Sequence, residues 1–330
     1  MIKINLGVLV LSSLVINGCS CTTPKVSKTK SLIKGMSSDD QQKLEEYRAE
    51  IEIGRNMAGR LLAFYGVVDD DDLDAYVNQV GSYVAGFSDH PERRYMFQVL
   101  NSDIVNAFAA PGGYILVTRG AIKHAQNEAE LAFVLAHEVA HVGHKHMFDS
   151  LKGMSKEDMD KAVAKADKAA MEKSPELKAR ARPKPQENEV GASLAKYMSG
   201  ASAGMSILSA AKAGMSLILD EGLGADKEFE ADSYGTRYAV RAGYHQKAGM
   251  NYLCRLQQKK ASKNKPCKIR KVKKKKGKES ILDKTHPSVV DRVGHIRKTL
   301  KDMDALDGMG AKGEVRFNQI KKLVRGKAVK

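Results

Sequence analysis

Residues 131–141 read Leu-Ala-Phe-Val-Leu-Ala-His-Glu-Val-Ala-His, and this stretch decides the fold. His137 and His141 are four residues apart, so on a helix their side chains start about 5–6 Å apart on one face. Two imidazoles so placed can bind one ion, and Glu138 lies near enough to reach a water molecule on that ion. The pattern predicts one zinc ion (Zn2+) per chain, with His137 and His141 as ligands and Glu138 as the general base.

The residues around this motif predict the helix that carries it. Asn127 followed three residues later by Glu130 is a capping-box pattern, which indicates a helix start. We expect this helix to run to about Phe148. His144 and His146 follow the motif, and we expect them beside the metal or on the surface, with His144 the one able to approach the site.

A catalytic zinc ion needs a third protein ligand and an open position for water. Residues 227–232 read Lys-Glu-Phe-Glu-Ala-Asp. On a helix Glu228 and Asp232 share a face, so Glu228 is the predicted ligand and Asp232 the predicted acceptor of a hydrogen bond from a ligand histidine. Glu230 lies about 200° around from Glu228, which predicts a surface position.

The rest of the pattern predicts an α+β fold that is mostly helical, with a small β-sheet beside the metal-site helix. A helix is expected from Ser37–Asp40 to about Tyr65, and another follows the acidic residues 69–72. Tyr95–Leu100 alternates like a strand. Residues 105–118 predict two strands separated by Pro111-Gly112-Gly113.

The first residues have the order of a bacterial export signal: Lys3, an uncharged run to Ile16, then Asn17-Gly18-Cys19. The run is shorter than the roughly 20 residues of a membrane-spanning helix, so we expect residues 1–18 to be removed. Residues 16–19 resemble the lipobox of bacterial lipoproteins, which implies lipidation of Cys19. We therefore expect residues 19–36 to be a flexible tether and the protein to lie on the periplasmic side of a Gram-negative envelope, at the outer membrane.

The net charge of +16 is concentrated in one segment, because residues 255–278 contain Lys and Arg but no Asp or Glu. For an exported chain this favours contact with anionic lipid or lipopolysaccharide over nucleic acid, and the alternative is a solvated loop. We therefore expect residues 255–280 to be a Lys-rich loop and residues 301–330 a basic C-terminal tail. Cys254 and Cys267 are the predicted disulfide pair in an oxidising compartment.

Two further segments stand out by composition. Residues 149–190 are charged and rich in Lys and Ala, which predicts an insertion that is helical at first and then broken by Pro183 and Pro185. Residues 192–219 are rich in Gly, Ala, Ser and Met, and we expect a buried or substrate-facing segment rather than a membrane span.

Together these motifs resemble metallopeptidase family 48, a gluzincin family. The resemblance runs from about Ser37 to Arg297 and is strongest for the exported branch without transmembrane helices, so we expect a peptidase domain at residues 37–300. Its motifs are Asn106–Gly113, Thr118-Arg119-Gly120, His137–His141, Glu228–Asp232, and Thr285-His286-Pro287 followed by Arg292.

The resemblance implies a zinc endopeptidase acting in envelope quality control on unfolded or misassembled envelope proteins. It assigns His286 a place near the zinc, with three open roles: binding the ion as a gate, contacting the reacting carbonyl, or supporting the structure. Arg292 would support the acidic residue behind the ligands. A strand at the cleft edge would pair with substrate backbone through Asn106, Ala107, Phe108 and Ala109.

Two other functions remain open from the sequence. One is a chaperone or assembly factor that keeps the zinc fold with an occluded cleft and binds outer-membrane protein clients without cutting them. The other is adhesion or lipopolysaccharide binding by residues 255–278.

Overall fold

The computed structural model describes residues 35–173, 206–257 and 286–326. The chain divides into two compact units, the first formed by residues 1–43 and the second by residues 44–330. Residues 1–34, Cys267 and the Lys-rich segment beyond residue 257 lie outside the described residues, so the predictions of a signal peptide, a lipidated Cys19 and a lipid-binding loop stay predictions.

The secondary structure confirms the predicted α+β class. The helices are α1 (Ser38–Tyr65), α2 (Asp71–Ala85), α3 (Arg119–His124), α4 (Glu128–Gly143), α5 (His146–Gly153), α6 (Lys156–Lys173), α7 (Ile207–Ser216), α8 (Ala225–Arg241), α9 (Ala248–Gln257), α10 (Val289–Asp302) and α11 (Glu314–Gly326). The strands are β1 (Met96–Leu100), β2 (Ala107–Ala110) and β3 (Tyr114–Thr118), with a 3-10 turn at Pro111–Gly113 and a π-turn at Leu217–Glu221.

The three strands form one sheet in the order β1-β3-β2. β1 runs parallel to β3, and β2 runs antiparallel to it with Ala107 opposite Val117 and Ala110 opposite Tyr114. The turn between β2 and β3 requires Gly112, whose φ is +73°, a conformation that residues with a Cβ rarely adopt. This order leaves β2 at one edge of the sheet.

Helix α4 lies at the centre of the second unit, and every one of its residues is buried. Its start follows the predicted capping box: Oδ1 of Asn127 accepts from the amide of Glu130 at 3.1 Å, and Oε2 of Glu130 accepts from the amide of Gln126 at 2.8 Å. A helix buried on all sides packs against several elements, and here they include β3, α2 and α8.

The predicted end of this helix at Phe148 is wrong. α4 ends at Gly143, the chain reverses through Lys145 in a left-handed conformation (φ 54°), and α5 begins at His146. Left-handed backbone is uncommon outside glycine and asparagine, and Lys145 carries no composition signal that would have predicted the break.

The described part of the predicted insertion, up to Lys173, forms the end of α5 and then α6, which packs through Met159 and Ala162 against a second core containing Ile53 and Met57. α7 joins the same core through Ala210, Ala211 and Ala213, so part of the segment at residues 192–219 is buried, as one of the two expectations had it. In the ranges that the structure describes, no helix has both the length and the apolar character needed to cross a bilayer.

The segment beyond residue 300 differs from the predicted basic tail. It contains α11, whose Phe317 and Val324 are 0% exposed and belong to the same core as α4. The composition did not reveal this, because α11 has few apolar residues among many charged ones, and only some of them, Phe317 and Val324 among these, are fully buried.

Candidate metal centre

Three side chains meet beside the C-terminal half of α4. Nε2 of His137 and Nε2 of His141 are 3.1 Å apart, and they lie 3.6 Å and 3.4 Å from the two carboxylate oxygens of Glu228 on α8. Each side chain can offer one ligand atom so that the three atoms lie within 4.8 Å of one another. Among the described residues this is the one such group of His, Cys, Asp and Glu.

The close approach of α8 to α4 depends on Gly235. A Cβ built on Gly235 would lie 2.8 Å from both the Cα and the amide nitrogen of His137, which is closer than a real Cβ approaches another atom. The backbones of the two helices therefore touch beside the first histidine. The sequence motifs did not include Gly235. A single glycine inside a helical pattern can indicate close packing, and this was the one available sign.

The outer nitrogen of His137 is held by the predicted carboxylate. Nδ1 of His137 lies 3.1 Å from Oδ1 of Asp232, and Arg292 donates two hydrogen bonds to Asp232, from Nη2 at 2.6 Å and from Nε at 2.8 Å. Asp232 is 0% exposed and Arg292 is 5% exposed. The structure thus brings both residues to the places that the sequence suggested.

His286 also reaches the centre, because its Nδ1 lies 2.5 Å from Oε2 of Glu228. Burial raises the pKa of Glu228, but the neighbouring His286, His137 and His141 outweigh it and hold that pKa well below its usual range. Glu228 is therefore ionised at neutral pH. Its negative charge is available to a cation held by the two imidazoles.

Two more ionisable groups define the chemistry. Glu138 is 7% exposed, and burial raises the pKa of its carboxyl. Burial opposes protonation of His137, yet its hydrogen bonds to Asp232 and Glu228 raise the pKa of His137 to about 9. Burial lowers the pKa of His141 well below its usual value.

A cleft passes over these groups and consists of two adjoining cavities. Both are lined by Asn106, Ala107, Glu138 and His286, so the two cavities adjoin at the metal-site residues. Their other walls are mainly apolar: Phe108, Ala109, Met147, Leu217, Ile218 and Leu223 in one, and Val105, Phe133, Val134, Tyr252, Leu253 and Leu256 in the other. The predicted substrate strand thus borders the cleft.

The donor set fits a metal ion. Two imidazoles and one carboxylate are the ligands of one common type of catalytic zinc site, which keeps a further position open for water or substrate. Both imidazoles have their outer nitrogens engaged, as ligand histidines almost always do.

Comparison with known proteins identifies the family. A model of peptidase family M48 matches residues 71–300, which contain all of these groups. The chain belongs to this metallopeptidase family. The resemblance drawn from the sequence motifs is therefore confirmed.

Relatives within the family include bacterial and plant proteins. A putative beta-barrel assembly-enhancing protease of Vibrio cholerae is 26% identical over 240 residues, 73% of this chain and 42% of that protein. The beta-barrel assembly-enhancing protease of Escherichia coli K12 is 29% identical over 98 residues, 30% of this chain and 20% of that protein. The mitochondrial metalloendopeptidase OMA1 of Arabidopsis thaliana is 42% identical over 53 residues, 16% of this chain and 11% of that protein. The chain spans less than half the length of each relative.

The two histidines after the motif differ from expectation. His146, rather than His144, approaches the centre: it is buried, and its Nδ1 lies 2.9 Å from Nδ1 of His141. His144 instead stacks on Tyr234, with ring centroids 3.9 Å apart. Glu230 is partly exposed, but it faces both histidines, at 3.6 Å from His144 and 3.4 Å from His146.

One half of the predicted disulfide is described by the structure. Cys254 is disulfide-bonded and buried in the main core, and its predicted partner Cys267 is outside the described residues. The Cys254–Cys267 pairing stays a prediction.

Proposed function

We propose that this chain is a zinc-dependent endopeptidase of the bacterial envelope. The observation that carries the proposal is the buried group of His137, His141 and Glu228, with Glu138 beside it on the wall of a cleft. A bound zinc ion would lower the pKa of a coordinated water and polarise the carbonyl of the scissile bond.

The residues of the chain supply the remaining steps. Glu138 would accept the proton of the attacking water and deliver it to the leaving nitrogen, a role for which a carboxyl pKa raised by burial is suited. Asp232 and Arg292 would keep His137 oriented with its Nε2 toward the ion.

The shape of the cleft supports cleavage within a chain rather than at its end. The two cavities extend from Glu138 and His286 in different directions, with apolar walls on both sides. Among the described strands β2 forms an edge, and an extended peptide can add to such an edge through its backbone. Backbone pairing with apolar pockets suits unfolded polypeptides, whose apolar side chains are exposed.

For the substrates we propose unfolded or misassembled envelope proteins. The names of the Vibrio and Escherichia relatives support this class, since both are called beta-barrel assembly-enhancing proteases. We further propose export, removal of residues 1–18 and lipidation of Cys19, which would place the enzyme at the periplasmic face of the outer membrane. The sequence motif at residues 16–19 supports that step.

The test compares the wild-type chain with Glu138→Gln. We expect both to bind one zinc ion per chain by metal analysis, because Glu138 is not a ligand. The variant should lose about 10²–10⁴-fold in the rate of casein hydrolysis, since general acid–base catalysis contributes roughly that factor.

Treatment of the wild type with a chelator gives the matching control. Activity should vanish and return when zinc is added. A zinc-loaded Glu138→Gln variant with full activity would contradict the role of Glu138, and a wild type that takes up no divalent metal would end the zinc proposal.

A chaperone or assembly factor with an occluded cleft is the second candidate, and the position of His286 favours it. This side chain contacts Glu228 and lines both cavities, so it stands where substrate would enter. Incubation of the wild type and His286→Ala with an envelope client separates the two. A client that stays intact with both proteins, yet assembles faster, supports the second candidate; faster cleavage by the variant supports a gated peptidase.

A further inference from the structure

His146 occupies an unusual place for a residue outside the metal-binding motif. The left-handed turn at Lys145 sends the chain back on itself, so that the first residue of α5 lies against the last turn of α4. His146 is 4% exposed, and its imidazole packs edge-on against that of His141 with ring centroids 4.9 Å apart.

The contact between these rings restricts where their protons sit. Nδ1 of His146 and Nδ1 of His141 are 2.9 Å apart, so one nitrogen donates a proton and the other accepts it. His141 faces Glu228 and His137 with Nε2, and binding an ion there requires the free lone pair of Nε2. The proton of a neutral His141 is then on Nδ1, and His146 accepts it.

The far side of His146 faces a carboxylate. With Nδ1 as acceptor, the remaining proton of His146 is on Nε2. This atom is buried and forms no hydrogen bond, and the carboxylate oxygen facing it is Oε2 of Glu230 on α8, 3.4 Å away. Lys227, which precedes the ligand Glu228, donates to the carbonyl of His146 at 3.1 Å. This hydrogen bond ties the start of α8 to the start of α5.

We propose that His146 is a positioning residue that fixes the tautomer and orientation of His141, with Glu230 as the carboxylate behind it. The inference rests on the proposed function, because it takes His141 as a metal ligand. The two ligand histidines then have separate supports: Asp232 and Arg292 behind His137, and His146 and Glu230 behind His141.

His144 provides the matched control, since it faces the same carboxylate without reaching the ligand. Its Nδ1 lies 3.6 Å from Oε1 of Glu230, and its Nε2 lies 3.2 Å from the hydroxyl of Tyr238. Replacing it disturbs the surroundings of Glu230 but leaves the contact between His146 and His141 in place.

The experiment measures zinc affinity of the full chain by competition with a chromophoric chelator. His146→Leu removes the acceptor and should weaken zinc binding by about 10–100-fold, the usual effect of losing the partner of a ligand histidine. His146→Asn places an amide oxygen near the position of Nδ1 and should recover most of that loss. His144→Leu should bind zinc as the wild type does.

A second readout follows the proton directly. In the metal-free chain, 15N spectra of the histidines should show the His141 proton on Nδ1 in the wild type and in His146→Asn, and a changed tautomer population in His146→Leu. Circular dichroism confirms that each variant is folded.

Three results would overturn the inference: zinc affinity of His146→Leu equal to the wild type, His146→Asn as weak as His146→Leu, or an unchanged His141 tautomer in His146→Leu. If the wild type itself binds no zinc, the proposed function fails, and the spectra still decide whether His146 sets the tautomer of His141.

Discussion

At the scale of single residues, the site contains a buried ion pair between Asp232 and Arg292. Asp232 has no contact with solvent, and its charge is compensated by two hydrogen bonds from Arg292. Burial raises the pKa of Asp232, but Arg292 outweighs this and holds that pKa below its usual value. Removing one partner of such a pair costs far more than the pair contributes.

Arg292→Met should therefore lower the free energy of unfolding by about 3–5 kcal/mol, because it leaves the buried Asp232 carboxylate without its two hydrogen bonds from the guanidinium. Urea unfolding in the presence of a chelator measures this without the contribution of bound metal. The control is Arg297→Met, an exposed position on the same helix, where we expect a change within about 0.5 kcal/mol. Equal losses in the two variants would show that the ion pair is unimportant.

The sequence was informative about residues whose relation is local. His137, Glu138 and His141 share one helical turn, and Glu228 shares a turn with Asp232, so their spacing alone predicted which side chains meet. His146 could not be assigned in this way, because its contact with His141 requires a left-handed residue at Lys145. Gly143 is nearby, but it belongs to the helix and does not indicate this reversal. Which acidic residue on α8 faces the motif was predictable from helical geometry. The contact between Glu230 and His146 was not predictable in this way, because it depends on where α5 begins.

At the scale of elements, the metal centre depends on how closely α4 and α8 approach. Gly235 permits backbone contact with His137, and no side chain fits between them. Periodicity predicted both helices but contained nothing about their separation, since that distance is set by the smallest residue at the crossing point. The alternation of apolar residues predicted the three strands, but it did not predict how they pair in the order β1-β3-β2.

Gly235→Ala should separate the two helices and cost about 1–3 kcal/mol in unfolding free energy, the usual range for an overpacked core. Zinc affinity should fall in the same variant, because Glu228 moves with α8 away from the imidazoles. Chemical denaturation and chelator competition measure the two effects.

Gly294→Ala is the matched control for this change. Gly294 is an exposed helical residue of α10 with no atom within 4 Å of a built Cβ, so alanine should stabilise the helix by about 0.5–1 kcal/mol. If Gly235→Ala also stabilises the protein and leaves zinc affinity unchanged, the two helices are not held at backbone contact.

At the scale of the whole molecule, the peptidase core extends beyond the residues that the motifs define. Nε of Arg316 on α11 lies 3.0 Å from Oε2 of Glu128, and the carbonyl of Lys312 accepts from the amide of Ala129 at 3.1 Å. Both contacts are at the first turn of α4. The C-terminal segment therefore holds the start of the helix that carries His137 and His141.

Phe317→Ala should cost about 3–5 kcal/mol in unfolding free energy, because the ring is fully buried in the main core and its removal leaves a cavity. Val315→Ala is the control, since Val315 is 79% exposed and its loss should change stability by no more than about 0.5 kcal/mol. A Phe317→Ala protein as stable as the control would show that the packing of α11 contributes little to the stability of the core.

The backbone contact at Gly235 also limits which ions can occupy the centre. Two helices already in contact cannot move closer, and the packed core around α4 resists moving them apart. The distances between the imidazole nitrogens and the Glu228 oxygens can therefore change little. Calcium takes about six to eight oxygen ligands at about 2.3–2.6 Å, and neither that number nor that chemistry is offered here. Surroundings rich in calcium or magnesium would thus leave the centre to cations that prefer nitrogen ligands, because a pair of imidazoles suits neither of those two oxygen-seeking ions.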